Sequence, residues 1–218
     1  MTIGRICLAL LMFSFSLPLA GQSLSNPTKL YTGHVISANG GEHAEGGMIY
    51  VYEEPYPEHV TSSKITTDGG DYRVILDPEK IYRFTVLAPG FYTEDFIMST
   101  PSGTTYEELV ENFEVTPIAV DSILYDGSLF VESGAELASA EVLTEILQFL
   151  TRNALVTVEI DVGLVADEVD PLSKQRVDAI KDAFKAAEVS TTRIKWNRDL
   201  SSPMNRFVIR ISGFLSPS

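Results

Sequence analysis

The alternation of apolar and polar residues changes period once along this chain. Up to about Ile118 the period is two. Leu30, Thr32, His34 and Ile36 alternate with Tyr31, Gly33 and Val35, and the run stops at Asn39-Gly40-Gly41. Further short runs cover Met48 to Tyr52, Val60 to Thr66, Tyr72 to Leu76, Ile81 to Leu87, Phe91 to Met98 and Phe113 to Ile118. Between them lie Asp68-Gly69-Gly70, Asp77-Pro78 and Pro89-Gly90, where Gly supplies positive φ and Pro fixes it negative. Short strands at this spacing predict an antiparallel β-sandwich over 29–118. Tyr106 to Val115 fits a short helix or a strand.

Beyond that boundary the period lengthens. "SLFVESGAEL" is expected to be a strand and turn, after which Val142, Leu143, Ile146, Leu147 and Leu150 share one helical face, with Ser139 as N-cap and Asn153 as the stop. Leu155 to Ile160 is the next strand. In "DPLSKQR", Asp170 suits an N-cap and Pro171 the first helical position, since a helix start needs a side-chain acceptor and tolerates a missing N–H. Val177, Ile180, Phe184 and Ala187 continue that helix as an apolar stripe. Strands over Thr192 to Trp196 and Arg206 to Ile211 close the chain. The expected order is βαβαββ, an α/β sandwich with helices on one sheet, and the whole is a two-domain α+β protein.

Composition adds a leader. Residues 1–20 carry one basic residue (Arg5), an apolar stretch from Ile6 to Leu17 and Pro18-Leu19-Ala20 ahead of Gly21, the layout of a secretory signal peptide. The apolar run is too short and too interrupted for a transmembrane anchor, so no transmembrane segment is expected in the mature chain. Residues 21–28 read as a linker. Cys7, the single cysteine of the 218 residues, lies inside the leader, so the exported chain depends on its core rather than on disulfides. Net charge is −14, one unit more negative once Arg5 is removed, which disfavours nucleic acid and anionic membrane surfaces.

Candidate chemistry is sparse. His34, His43 and His59 stand at no metal-ligand spacing. Glu53, Glu54 and Glu58 lack the Asp-x-Asp-x-Asp-Gly pattern of a calcium loop and read as a solvated edge. Ser173 has no histidine in its half of the chain to serve as base, and no Gly-x-Ser-x-Gly elbow, phosphate-cradling loop or dinucleotide fingerprint occurs. No cofactor, no metal and no enzymatic activity are expected. The one constellation suited to gripping a small zwitterion is Arg176 close to Asp167, Glu168 and Asp170.

Two resemblances sharpen this reading. "TGHVIS", "MIYVYEE", "TTDGGDYRVIL" and "KIYRFTVLAPGFY" resemble carboxypeptidase regulatory-like domains, transthyretin-like sandwiches of bacterial envelope proteins; Gly33, Thr67-Asp68-Gly69 to Tyr72, Tyr82 and Gly90-Phe91 carry the likeness. It implies a fold and nothing catalytic. "LFVESGAEL", "FLTRNALVTVEI", "LSKQRVDAI", "STTRIKW" and "PMNRFVIRI", in this order, resemble the OmpA-like C-terminal domain across 119–218. The pairing looks like envelope proteins of the Bacteroidetes type.

The second resemblance implies non-covalent binding of peptidoglycan. In the family, an Asp after the strand takes the ammonium of diaminopimelate and the Arg of Leu-Ser-x-x-Arg takes its carboxylate. Arg176 matches that Arg. Aligned on the strand, "VGLV" (Val162 to Val165) stands where the family reads Gly-His-Thr-Asp, so Asp161 or Asp167 must replace the carboxylate. Aligned on the helix, Asp161 itself falls at the usual separation from Arg176. The first alignment keeps more of the chain in register. The expectation is therefore a periplasmic, non-enzymatic protein, with association to the outer membrane as the alternative location, holding peptidoglycan through Arg176 with Asp161 or Asp167. The competing expectation is an adaptor between envelope proteins whose OmpA-like domain has lost that ligand.

Overall fold

In the computed structural model, residues 28–103, 105–132, 134–138, 140–163, 171–199 and 206–216 are described. The leader, residues 21–27 of the linker, Ser139 and the acidic loop with Asp167, Glu168 and Asp170 lie outside the described residues.

The first half is a β-sandwich. Strands β1 (Lys29–Ser37), β4 (Asp71–Leu76), β7 (Glu107–Val110) and β8 (Phe113–Val115) form one sheet; β2 (Gly47–Glu54), β3 (Tyr56–Ile65), β5 (Ile81–Leu87) and β6 (Glu94–Ser99) form the other in the order β3-β2-β5-β6. Alternation does the folding: Tyr72, Val74 and Leu76 of β4 are buried while Asp71, Arg73 and Ile75 are exposed. Between the sheets Phe113 is the hub, with ring centroids 5.2 Å from Tyr72, 5.1 Å from Phe84 and 4.8 Å from Phe96.

The sandwich is not wholly antiparallel. β1 pairs antiparallel with β4 but parallel with β7 and β8. The chain crosses from one sheet to the other after β6 and arrives beside β1 running the same way, a connection that local alternation cannot report. The ambiguous stretch after Tyr106 is thus two short strands, separated where Glu111 and Asn112 seat on β1. Glu111 donates its N–H to Thr32 O at 2.9 Å, and the Tyr72 hydroxyl donates to Glu111 O at 2.9 Å. Gly33 makes this approach feasible, since a Cβ there would stand 1.7 Å from the Glu111 oxygen.

The second half is a two-layer α/β unit. β9 (Ile123–Ser128), α1 (Ala140–Arg152), β10 (Val156–Gly163), α2 (Pro171–Ala186), β11 (Ile194–Asp199) and β12 (Arg206–Phe214) follow one another, with sheet order β11-β10-β12-β9. β10 runs parallel to β11 and antiparallel to β12, which runs antiparallel to β9. Leu143, Ile146 and Leu150 of α1 and Ile180 and Phe184 of α2 bury against Val156, Val158, Ile160 and Val162 of β10 and Phe207, Ile209 and Ile211 of β12. The first strand here lies at Ile123–Ser128, ahead of the "SLFVES" expected from sequence. At Leu129 the chain leaves the sheet, because Leu129 and Phe130 are needed in the core, both at most 2% exposed.

Phe113 and Val115 belong to the sandwich core, whereas Ile118 packs into the α/β core. Among the described residues no helix is long and apolar enough to cross a membrane.

Candidate functional site

Arg176 sits in the second turn of α2, in line with Ile180 and Phe184 at helical spacing, and this stripe faces the core. Its side chain is 2% exposed. Nε donates to Gly134 O at 2.9 Å, and Nη2 donates to Val131 O at 2.8 Å and Glu132 O at 2.9 Å. The guanidinium also lies 5.7 Å from the Phe130 ring centroid. A buried guanidinium costs several kcal/mol unless its hydrogens find acceptors, and the loop leading into α1 supplies them. A bidentate grip on a carboxylate needs N–H groups from two neighbouring nitrogens. Each such edge of Arg176 includes Nε or Nη2, so each competes with a carbonyl already bound.

Asp161 is brought elsewhere. On β10 it alternates with the core residues Ile160 and Val162 and so points to the sheet face away from the helices. There it pairs with Arg210 of β12 and accepts a hydrogen bond from Asn197 Nδ2 of β11 at 3.0 Å. Glu159, two residues earlier, bonds to Asn197 and to Lys195 Nζ at 3.3 Å. Arg206 holds Asp126 by two bonds of 2.8 Å, which keep that carboxyl below the usual range. This open face is a compensated charge ladder. Arg176 and Asp161 therefore lie on opposite sides of the sheet, and the structure does not bring them together. Asp167 lies outside the described residues.

Sequence reasoning missed Arg193. It sits in a 3-10 turn (Thr191–Arg193) before β11, is 7% exposed, and donates from Nε to Val156 O at 2.8 Å and from Nη2 to Leu150 O at 2.9 Å and Asn153 O at 2.8 Å. Burial draws its pKa below the ordinary arginine value. For Arg176 a signal was present, its place on the apolar stripe. For Arg193 none was.

In the sandwich the fold joins His34 and His43, ring centroids 5.2 Å apart, with His34 Nδ1 2.8 Å from Asp71 Oδ1. Among the described residues no group of three or more His, Cys, Asp or Glu side chains is placed to hold a metal ion. Glu53 and Glu54 of the acidic edge pair with Lys80 at 2.8 Å and Arg83 at 2.9 Å.

No family model matches the chain, and no curated protein does. Solved structures give partial likenesses. A candidate carbohydrate-binding protein from Bacteroides uniformis is 22% identical over 44% of this chain and 46% of that one, with a TM-score of 0.32. A DUF3823 family protein from Parabacteroides merdae is 18% identical over 48% and 53%, TM-score 0.33. The TIE protein of Bacillus anthracis is 10% identical over 65% and 20%, TM-score 0.35. The chain thus spans about half or less of the length of each of these structures.

Proposed function

We propose that this chain is an exported, non-enzymatic protein of the bacterial envelope that acts as an adaptor between envelope proteins, its sandwich serving as spacer or docking module. In this reading the second domain keeps an OmpA-like plan, which its βαβαββ order supports, while the family arginine serves the fold. The observation that carries it is the engagement of Arg176: three backbone carbonyls bind the nitrogens with which a ligand carboxylate would have to be gripped. With Asp161 committed to Arg210 on the far face, that carboxylate is not placed to meet the ammonium of a diaminopimelate beside Arg176. Leaving such a charge desolvated and unmatched costs several kcal/mol, on the order of a hundredfold in affinity.

Peptidoglycan binding is the second reading. It is favoured by the Leu172-Ser173-x-x-Arg176 helix start, which follows the acidic stretch of Asp167 to Asp170 directly. Sedimentation with diaminopimelate-type peptidoglycan separates the two, using wild type, Arg176→Lys and Asp167→Ala, each checked for folding by thermal melting. The adaptor reading expects folded wild type to stay in the supernatant. Co-sedimentation abolished by Asp167→Ala at an unchanged melting temperature would overturn it in favour of the wall.

A further inference from the structure

The turn after α1 and the sandwich loop ahead of β6 complete one another. Thr93 is 8% exposed, and both its backbone polar groups are used by the α/β unit: its N–H donates to Asn153 Oδ1 at 2.9 Å, and its carbonyl accepts from Arg152 Nε at 3.2 Å. Asn153, 3% exposed, spends the other end of its amide on its own helix, Nδ2 donating to Phe149 O at 2.8 Å. One buried amide thus caps α1 and holds the other domain. Tyr92 meets Phe149 edge-on with centroids 6.1 Å apart, and Arg152 Nη2 lies 3.4 Å from Asp95 Oδ2.

The connecting segment is fastened to the same loop. Tyr92 N–H donates to Thr116 O at 2.9 Å, Thr116 N–H to Glu94 Oε1 at 2.9 Å, and Ile118 N–H to Gly90 O at 2.7 Å, while the Ile118 side chain enters the α/β core. The linker between the domains is therefore hydrogen-bonded along its length. Buried backbone groups are almost always paired, so pulling the domains apart would strip the Thr93 N–H, the Thr93 carbonyl and Asn153 Oδ1 of their partners together.

We infer that this joint locks the two domains into a single body of fixed orientation, with Tyr92 and Thr93 ahead of β6, and Asp95 within it, acting as part of the C-terminal cap of α1. The consequence reaches the Arg176 region. α1 carries the joint at its C-terminal end, and the carbonyls of Val131, Glu132 and Gly134 that bind Arg176 precede it in the chain. This holds whichever ligand or partner the protein takes.

Nuclear spin relaxation of the ¹⁵N-labelled chain from Gly21 onward tests it, with amide exchange at Thr93 as second readout. Wild type is expected to tumble with one rotational correlation time for both domains, and Thr93 to be protected like the core amides of α1. Tyr92→Ala with Arg152→Ala removes the ring contact and the cation without entering either core. It is expected to split the correlation times and to lower Thr93 protection by on the order of tenfold or more. Thr93→Val, which keeps both backbone bonds, is expected to retain a single correlation time. Two correlation times in wild type, or unchanged tumbling and exchange in the double variant, would overturn the inference.

Discussion

Two arginines hold the chain on either side of α1, and they do so by the same means. Arg176 reaches from α2 to the loop ahead of the helix, and Arg193 reaches from the turn before β11 to the end behind it. Each uses Nε and Nη2, and each binds three backbone carbonyls. Only Arg176 sits in a sequence context that suggests a ligand, yet in bonding the two are equivalent. An arginine in a binding motif is thus not by itself a binding residue; what its guanidinium touches decides. The sandwich does the corresponding job with a neutral group, the Tyr72 hydroxyl on the Glu111 carbonyl.

The largest effect is expected at Arg193. Arg193→Met keeps much of the volume but leaves the Leu150, Asn153 and Val156 carbonyls without that donor, and urea unfolding should register a loss of about 3–5 kcal/mol. Arg176→Met should cost somewhat less, about 2–4 kcal/mol, because the loop it holds lies nearer the surface.

Tyr72→Phe sharpens the contrast through pH. At neutral pH it should cost about 1 kcal/mol for the lost hydrogen bond. Burial, then the charge of Glu111 and the neighbouring Tyr31, push the Tyr72 hydroxyl far above its ordinary value of 10.0. A group whose folded pKa is raised contributes stability that is complete below its unfolded pKa. That contribution declines as pH rises from about 10 toward the folded value. Alkaline unfolding should therefore be less steep in Tyr72→Phe than in wild type. The smallest effect belongs to Asp161→Asn on the open face, about 0–1 kcal/mol in urea unfolding, since its ion pair with Arg210 is partly solvated.

Much of this fold could be read along the chain. Period-two alternation gave the sandwich strands nearly to the residue at Ile81–Leu87, and the helical stripe of Leu143, Ile146 and Leu150 gave α1. What escaped was non-local. The parallel pairing of β7 and β8 with β1 depends on a crossover between sheets, and Phe130 leaves the strand period because the core needs its ring. At the candidate site, Asp161 and Arg176 suit one another in sequence, but a residue's face on a strand follows from parity. Asp161 lies between Ile160 and Val162, both of which the structure buries in the core, and that parity turns it away from the helices. Arg193 offered no local cue, since its carbonyl partners lie in α1, the turn after it and β10, none adjacent in sequence.

The claim that Arg176 serves the fold is tested most directly by urea unfolding of Arg176→Met without any ligand. The signal is fluorescence of Trp196, the single tryptophan, which packs against the α/β core. A midpoint lowered by the equivalent of about 2–4 kcal/mol is the predicted result. Unchanged or increased stability would contradict it, and would return Arg176 to the role of a side chain kept for a ligand.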